Sequence, residues 1–388
     1  MSREFDIALF GASGFTGKLV ADYLAQRQKT DPPRRLVLAG RDLAKLAAVR
    51  DEAGLPEDTP LVRADSDDPA ALADLARRSR VVLTTVGPYQ LYGSALVAAC
   101  AEAATHYVDL CGEVAWMRAM IDAHEATAKA SGARIVFSCG FDSIPFDLGV
   151  AYLQAAACER FGAPLARVKG RVRKMKGTFS GGTAASFRAT LAAAAKDPAI
   201  PILLRDPFAL TPGFSGPKQP SGGKPEFDDE LGVWAAPFIM APINTRNVHR
   251  SNRLTGAYGD DFVYDEMVLT GPGERGEARA KAVAAGLNEM AGAEGRKPGE
   301  GPSREERETG LYDLLFVGRG RNGEGLDVCV KGDRDPGYGS TSKMIAEAAI
   351  ALTEGDGPGG IFTPAAAFGV GFAERLAARA GLTFAIER

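Results

Sequence analysis

Several chemical signatures are scarce or missing in this 388-residue sequence. It contains no Walker, GxSxG or HExxH motif, which removes the usual sequence evidence for phosphoryl transfer, serine hydrolysis and zinc proteolysis. The three histidines lie far apart, and no two cysteines form a CxxC pair, so no metal site is predicted. Scattered thiols of this kind are typical of reduced, buried cysteines in a cytosolic protein.

The sequence also lacks a strong excess of one charge and a long apolar run. The net charge of −3 and pI near 5.8 predict no general attraction to nucleic acid. The longest apolar candidate, residues 361–372, is short and contains Pro364, so we expect no transmembrane segment. A strand is predicted from about residue 5, which leaves no room for a signal peptide. We therefore expect a cytoplasmic protein, with peripheral membrane contact left open.

A glycine-rich turn near the amino terminus is the most informative feature that is present. Apolar residues 6–10 predict a buried strand, residues 18–24 have helical periodicity, and residues 36–39 predict a second strand. Strand, turn, helix and strand form a dinucleotide-binding unit, although the glycine spacing is GxxGxxG instead of GxGxxG. The residues predicted to cradle the dinucleotide are Gly11, Ala12, Ser13, Gly14, Phe15, Thr16 and Gly17.

The end of the second strand predicts which dinucleotide binds. NAD-specific folds place an acid there for the ribose 2′-hydroxyl, whereas an arginine suits the 2′-phosphate of NADP. Here Gly40 is followed by Arg41, which favours NADP(H). The alternative is that Arg41 is only a solvated surface residue and that Asp42 takes the role of the acid.

Four further strands, predicted at residues 60–64, 80–86, 105–110 and 133–137, alternate with helices and indicate a Rossmann-type, doubly wound parallel sheet of six strands. The turn after the fourth strand lies where ligands bind in such sheets, so the cofactor is also expected to contact Val86, Gly87 and Pro88. Asp65, after the third strand, is a candidate contact to adenine. Alternatively, the acids there only cap the next helix, a role that Asp67 or Asp68 suits best.

The pattern of polar and apolar residues changes past residue 149. Alternating polar and apolar residues at 165–175, 261–269, 311–317 and 326–331 predict an antiparallel sheet. We expect an NADP-binding domain at 1–145, an α+β substrate domain at 146–335, and C-terminal helices at 336–388 that return to the first domain. Residues 176–183 are predicted to form a substrate-facing loop or a capped helix start, and residues 294–307 a loop.

Three motifs resemble the saccharopine dehydrogenase-like oxidoreductases. They are residues 86–89 (VGPY), 106–113 (HYVDLCGE) and 140–149 (GFDSIPFDLG), and the similarity continues at 241–246 and 332–338. Within that family the sequence is most similar to the bacterial branch that includes trans-acting enoyl reductases. The resemblance implies a reductase of an activated C=C bond in a lipid or polyketide intermediate.

The candidate catalytic residues follow the strands of the predicted sheet: Tyr89, Asp109, Asp142 and Ser143. A tyrosine hydroxyl or a carboxyl with a raised pKa can donate the proton that completes a reduction. The alternative for Asp109 and its neighbour Glu113 is that they only cap a helix. Asn244 and Arg246 are candidates for binding an anionic group of the substrate, such as a carboxylate or a phosphopantetheine phosphate; the alternative is a structural ion pair.

We therefore expect an NADP(H)-dependent reductase of an enoyl thioester, acting on a small-molecule or carrier-linked acyl group. The family resemblance keeps an imine or amino-acid-linked dehydrogenase open as an alternative. A protein that binds NADP(H) without turnover is the alternative of a different class. A homodimer is also expected to be feasible for this chain.

Overall fold

A computed structural model describes residues 3–177, 181–290 and 300–388, with only the backbone described for residues 287–290. Its strands β1–β14 and helices α1–α15 are numbered in chain order. They form two seven-stranded sheets.

The first sheet is parallel and has its carboxyl ends at one edge. Its strands are β1 (Phe5–Phe10), β2 (Leu36–Gly40), β3 (Leu61–Arg63), β4 (Ser79–Thr84), β5 (His106–Val108), β6 (Arg134–Val136) and β13 (Gly360–Phe362). The order is β13-β6-β5-β4-β1-β2-β3. β2 is buried throughout, as expected for a strand that is covered by helices on both faces. The doubly wound prediction is confirmed, and the chain adds a seventh strand to the six that were expected.

Seven helices connect and cover this sheet within the first 161 residues: α1 (Phe15–Gln28), α2 (Leu43–Glu52), α3 (Pro69–Arg78), α4 (Tyr89–Tyr92), α5 (Ser94–Glu102), α6 (Val114–Ser131) and α7 (Ile144–Phe161). Local sequence explains where several of them begin. Asp42 accepts the Lys45 N–H at the start of α2, and Asp68 accepts two backbone N–H groups at the start of α3. Asp68 is thus the helix cap that the cluster of acids predicted.

The second sheet is mixed. Its strands are β7 (Arg167–Lys176), β8 (Glu226–Asp228), β9 (Val233–Pro237), β10 (Val263–Gly271), β11 (Leu311–Arg319), β12 (Gly325–Gly332) and β14 (Leu382–Ile386), in the order β14-β12-β11-β7-β10-β9-β8. The predicted sheet of antiparallel strands is correct for every pair except β7 and β10, which are parallel. These two strands are not joined by a hairpin, because a long excursion of helices and strands returns the chain to the same end.

Eight more helices lie in the part of the chain that the structure describes: α8 (Gly181–Lys196), α9 (Ala199–Arg205), α10 (Ala241–Thr255), α11 (Gly273–Met290), α12 (Arg304–Glu308), α13 (Thr341–Glu354), α14 (Pro364–Phe368) and α15 (Gly371–Arg379). A single π-helical turn, Pro336–Ser340, precedes α13. In the predicted loop 294–307, residues 294–299 lie outside the described residues and the remainder includes most of α12. Within the described ranges, no helix is both long enough and apolar enough to cross a bilayer.

The C-terminal segment returns to the first sheet, but it is not only helical. α13 packs against α1, β4 and β5, and its buried Glu347 accepts hydrogen bonds from Tyr23, Arg27 and Arg375. β13 then extends the first sheet beside β6, whereas β14 joins the second sheet beside β12. The expectation of helices alone was wrong here, because strands of three and five residues give little periodic signal.

Candidate dinucleotide and active site

The turn between β1 and α1 is too tight for a side chain at Gly11 or at Gly17. Gly11 has a φ of +87°, and a Cβ there would lie 2.6 Å from Val86 Cγ2. A Cβ on Gly17 would lie 2.2 Å from the Gly11 carbonyl oxygen, so only glycine lets α1 approach the turn this closely. Gly14, in contrast, is exposed and its missing Cβ leaves the start of the helix open.

The first turn of α1 has N–H groups available for a phosphate. Gly14 is the N-cap and offers no side chain to accept them, and no acid lies in the first helical turn. The orphan donors and the positive end of the helix dipole suit the pyrophosphate of a dinucleotide. The rest of the predicted cradle surrounds this helix end: Ala12 is buried, and Ser13, Phe15 and Thr16 are partly buried.

The end of β2 fits NADP(H) better than NAD(H). Gly40 is buried, and Arg41 is exposed and makes no hydrogen bond or ion pair with the described part of the chain. Asp42 is committed to capping α2, which leaves the guanidinium of Arg41 as the free charged group at this position. Asp65 lies at the turn after β3, where it accepts the Asp67 N–H, and its contact to adenine stays a prediction.

Tyr89 and Glu113 hold the turn after β4. The Gly87–Pro88 peptide bond is cis, and Val86 donates its N–H to Thr84 Oγ1. The buried carboxylate of Glu113 accepts the N–H groups of Tyr89 and Gln90, each at 2.8 Å. The Tyr89 hydroxyl is buried, accepts the Leu110 N–H and donates weakly to the Thr84 carbonyl. Burial raises its pKa well above the usual value.

Asp109 ties the ends of β5 and β6 together. Its carboxyl accepts the backbone N–H groups of Cys111 and Ser138 and the hydroxyl of Tyr107. The residue is completely buried, and this desolvation raises its pKa to about 7. These contacts fix the ends of the two strands, and a catalytic role of Asp109 stays a prediction.

Asp142 has a different environment, although it also follows β6. Its side chain is partly buried and makes no hydrogen bond to another residue of the described chain. Desolvation raises its pKa to about 6. We refer to the space at the carboxyl ends of β4, β5 and β6 as the crevice. A Cβ on Gly112 would lie 3.7 Å from Asp142 Oδ2 and 3.9 Å from Ile243 Cγ2, so the backbone of Gly112 leaves space beside the carboxyl.

A buried polar network fixes the residue that follows Asp142. Ser143 Oγ donates to Asn244 Oδ1 and accepts from Asn247 Nδ2, both at 2.8 Å. Asn244 in turn donates to Glu266, whose other oxygen accepts the hydroxyl of Tyr264. Burial raises the pKa of Glu266 well above its usual value. The network thus joins the end of β6 to α10 and β10.

The two predicted substrate contacts lie close in the chain but have different surroundings. Asn244 is completely buried within the network around Ser143. Arg246 is partly buried and donates to the carbonyl oxygen of Leu204, at 2.6 Å, in α9. These contacts are structural, and a direct contact of either residue with substrate stays a prediction.

Residues from the C-terminal third also reach the crevice, and sequence reasoning missed most of them. Thr341 Oγ1 accepts the Phe141 N–H at 2.9 Å, next to Asp142. The ring of Tyr338 packs edge-on against Phe15, at the start of α1, with centroids 4.9 Å apart. Its hydroxyl accepts the Gly181 N–H. Of the predicted loop 176–183, residues 178–180 lie outside the described residues.

Comparison with known proteins agrees with this arrangement. Residues 7–136 match the family model of the saccharopine dehydrogenase NADP-binding domain. A relative from Mycobacterium tuberculosis (strain ATCC 25618 / H37Rv), whose name places it among the trans-acting enoyl reductases, is 41% identical over 97% of this chain and 96% of its own length. The trans-acting enoyl reductase of Mycobacterium ulcerans (strain Agy99) is 39% identical over 96% of each chain.

Among solved structures, apo saccharopine dehydrogenase (L-Glu forming) from Saccharomyces cerevisiae has a similar fold. It superposes with a TM-score of 0.57 over 99% of this chain and all of its own, at 12% sequence identity, which supports the fold alone. The full-length relatives and the NADP-binding model carry the assignment further. The chain is an NADP(H)-dependent oxidoreductase that belongs to the saccharopine dehydrogenase-like family, in the branch of the trans-acting enoyl reductases.

Proposed function

We propose that this protein reduces the C=C bond of an enoyl thioester with NADPH and that Asp142 donates the proton. The relatives that match over nearly the whole of both chains are named enoyl reductases, which supports the reaction class. The observation that carries the residue assignment is the carboxyl of Asp142, which lies at the crevice without a partner from another residue of the described chain. A general acid must be free to approach the atom that it protonates.

The proposed reaction consists of one hydride transfer and one proton transfer. NADPH, held by residues 11–17 and Arg41, would supply the hydride for the β-carbon of the enoyl thioester. The carboxyl of Asp142 gives its proton to the α-carbon, and water then reprotonates the carboxylate. Because burial holds the pKa of Asp142 near 6, a useful fraction of this carboxyl is protonated close to neutral pH.

The other three candidates support the site in this proposal and do not react. Tyr89 and Asp109 hold backbone groups at the ends of β4, β5 and β6. Ser143 anchors the peptide next to Asp142 through Asn244 and Asn247. We propose that these contacts orient the acid, since a positioned donor is worth more than a mobile one.

The substrate is proposed to be an acyl thioester, either a small molecule or one that is linked to a carrier. Arg41, which follows β2, is proposed to select NADPH over NADH. Carrier linkage, a homodimer and the division of the chain at residues 145 and 335 stay predictions.

The experiment replaces Asp142 by Asn, which keeps the shape of the side chain but removes the acid. NADPH absorbance is followed with a short-chain enoyl thioester. We expect kcat to fall about 10²–10⁴-fold, with the NADPH Kd and Tm retained. In the wild-type enzyme, kcat should fall as the pH rises through about 6, because the protonated carboxyl is the donor, and Asp142→Asn should lose this dependence.

Asp109→Asn is the matched comparison, because it changes another buried acid that follows a strand of the same sheet. This variant should lower the Tm, and it should lower kcat less than Asp142→Asn does. A wild-type kcat in the Asp142→Asn variant would contradict the assignment of the acid. NADPH oxidation with a 2-oxoacid and an amine, but not with enoyl thioesters, would favour imine reduction instead. Tight NADPH binding without turnover of either substrate would favour a binding protein.

A further inference from the structure

Exposed apolar side chains are concentrated on three neighbouring helices beside the crevice. Five of the eleven large apolar side chains that are exposed in the described chain lie on α4, α8 and α9. They are Leu91 (60% exposed), Tyr92 (38%), Phe187 (41%), Leu191 (45%) and Ile202 (68%). Single exposed apolar residues are common, but a cluster on neighbouring elements indicates an interaction site. We refer to these three helices as the α4–α8–α9 surface.

The three helices form one surface because they contact one another. Gln90 Nε2 in α4 donates to Thr190 Oγ1 in α8 at 3.2 Å, and α9 packs against α8. The only buried residue of α8 is Gly181, at its start, and α9 has none. The five exposed apolar side chains therefore lie on the outer side of these helices, whereas Leu203 and Leu204 of α9 pack against the core.

Three cations lie among these apolar residues: Arg188, Lys196 and Arg205. Each is exposed and makes no hydrogen bond or ion pair with any residue that the structure describes. The two nearby acids are engaged with backbone, since Asp197 accepts the Ala199 N–H and Asp206 accepts the Phe208 N–H. The surface is therefore apolar, and its three cations exceed its two acids by one on a chain whose net charge is −3.

The unpaired cations decide between the possible occupants. In a two-fold dimer each copy presents the same patch, so the excess positive charge of one copy would face that of the other. An anionic lipid surface supplies the opposite charge, and a projecting helix with Phe, Leu and Ile beside Arg and Lys suits insertion among lipid headgroups. We propose that the α4–α8–α9 surface docks on an anionic lipid surface.

The position of this surface has a consequence for the reaction. Ser186 of α8 donates to Glu113 at 2.6 Å, and Glu113 holds the turn after β4 at the crevice. Docking would thus bring the crevice mouth close to the lipid, where long acyl chains partition. This consequence rests on the proposed reductase function, whereas the docking itself does not.

The test is cosedimentation of the full chain with vesicles of phosphatidylglycerol and phosphatidylcholine, compared with vesicles of phosphatidylcholine alone. We expect binding to the anionic vesicles that weakens at raised salt. The double variant Phe187→Gln, Leu191→Gln should reduce binding about tenfold or more, because it removes the inserting side chains. Val370→Gln, a change at an exposed apolar residue (41%) at the N-cap of α15, should bind like the wild type.

A second arm isolates the charges. Replacing Arg188, Lys196 and Arg205 by Gln should also weaken binding about tenfold or more, whereas replacing Lys218, Lys224 and Lys331, which are exposed elsewhere, should not. Equal losses for the two triple variants would overturn the proposal, as would failure of the wild type to bind either vesicle. So would a dimer in sedimentation that the Phe187→Gln, Leu191→Gln variant dissociates. None of these readouts needs turnover, so they are independent of the reductase assay.

Discussion

The turn after β1 depends on groups that are missing, whereas the turn after β6 depends on side chains that come from distant parts of the chain. At residues 11–17, absent Cβ atoms and an uncapped helix end leave room and donors for a phosphate. At residues 139–143, Thr341 accepts the Phe141 N–H on one side of Asp142. On the other side, the Ser143 hydroxyl is held by Asn244 and Asn247. The first turn is therefore a local structure, and the second forms only when both sheets are in place.

The largest effect should come from filling the local turn. In Gly17→Ala the new Cβ would overlap the Gly11 carbonyl, and relieving that overlap would move α1 away from the phosphate. We expect the NADPH Kd to rise about 100-fold, measured by calorimetry. Gly286→Ala in α11 is the matched control: no atom lies within 4 Å of the new Cβ, and the helix should gain up to about 1 kcal/mol. Unchanged NADPH affinity in Gly17→Ala would refute the packing argument.

A smaller effect should come from removing the charge at the open end of the same site. Arg41→Ala is expected to raise the NADPH Kd about 10–100-fold, the value of a charged hydrogen bond, and to leave the NADH Kd nearly unchanged. The comparison of the two nucleotides is made on one protein by fluorescence titration. Lys218→Ala, an exposed cation far along the chain, is the control. Equal losses for both nucleotides would mean that Arg41 does not contact the 2′-phosphate.

The smallest effect on NADPH binding should follow from opening the network at the distant turn, where the change is expected in stability instead. Ser143→Ala leaves buried amides of Asn244 and Asn247 without their hydroxyl partner, so the free energy of unfolding should fall by about 1–3 kcal/mol in urea denaturation. NADPH affinity should be unaffected, in contrast to Gly17→Ala. Ser215→Ala, at an exposed serine, should change stability by less than about 0.5 kcal/mol. If both serine variants behave alike, the network contributes no stability.

The same contrast explains how much could be predicted from the sequence. The turn at residues 11–17, the strands around it and the cap at Asp68 are local, so spacing and residue type were sufficient. The environment of Asp142 was not predictable, because Asn247, Glu266 and Thr341 come from three separate elements. Sequence position alone also could not separate Asp109 from Asp142, since both follow strands of one sheet and only their contacts differ.

β13 and β14 have a consequence for the order of events during synthesis. Each of the two sheets receives one strand from the last 29 residues of the chain, and α13, which packs on β4 and β5, is also made late. Domains commonly fold on the ribosome as soon as their residues emerge. In this protein α13 and β13 cover β4, β5 and β6 only once residues 341–362 have been made, so a nascent chain that still lacks them would expose apolar surface of these strands to chaperones.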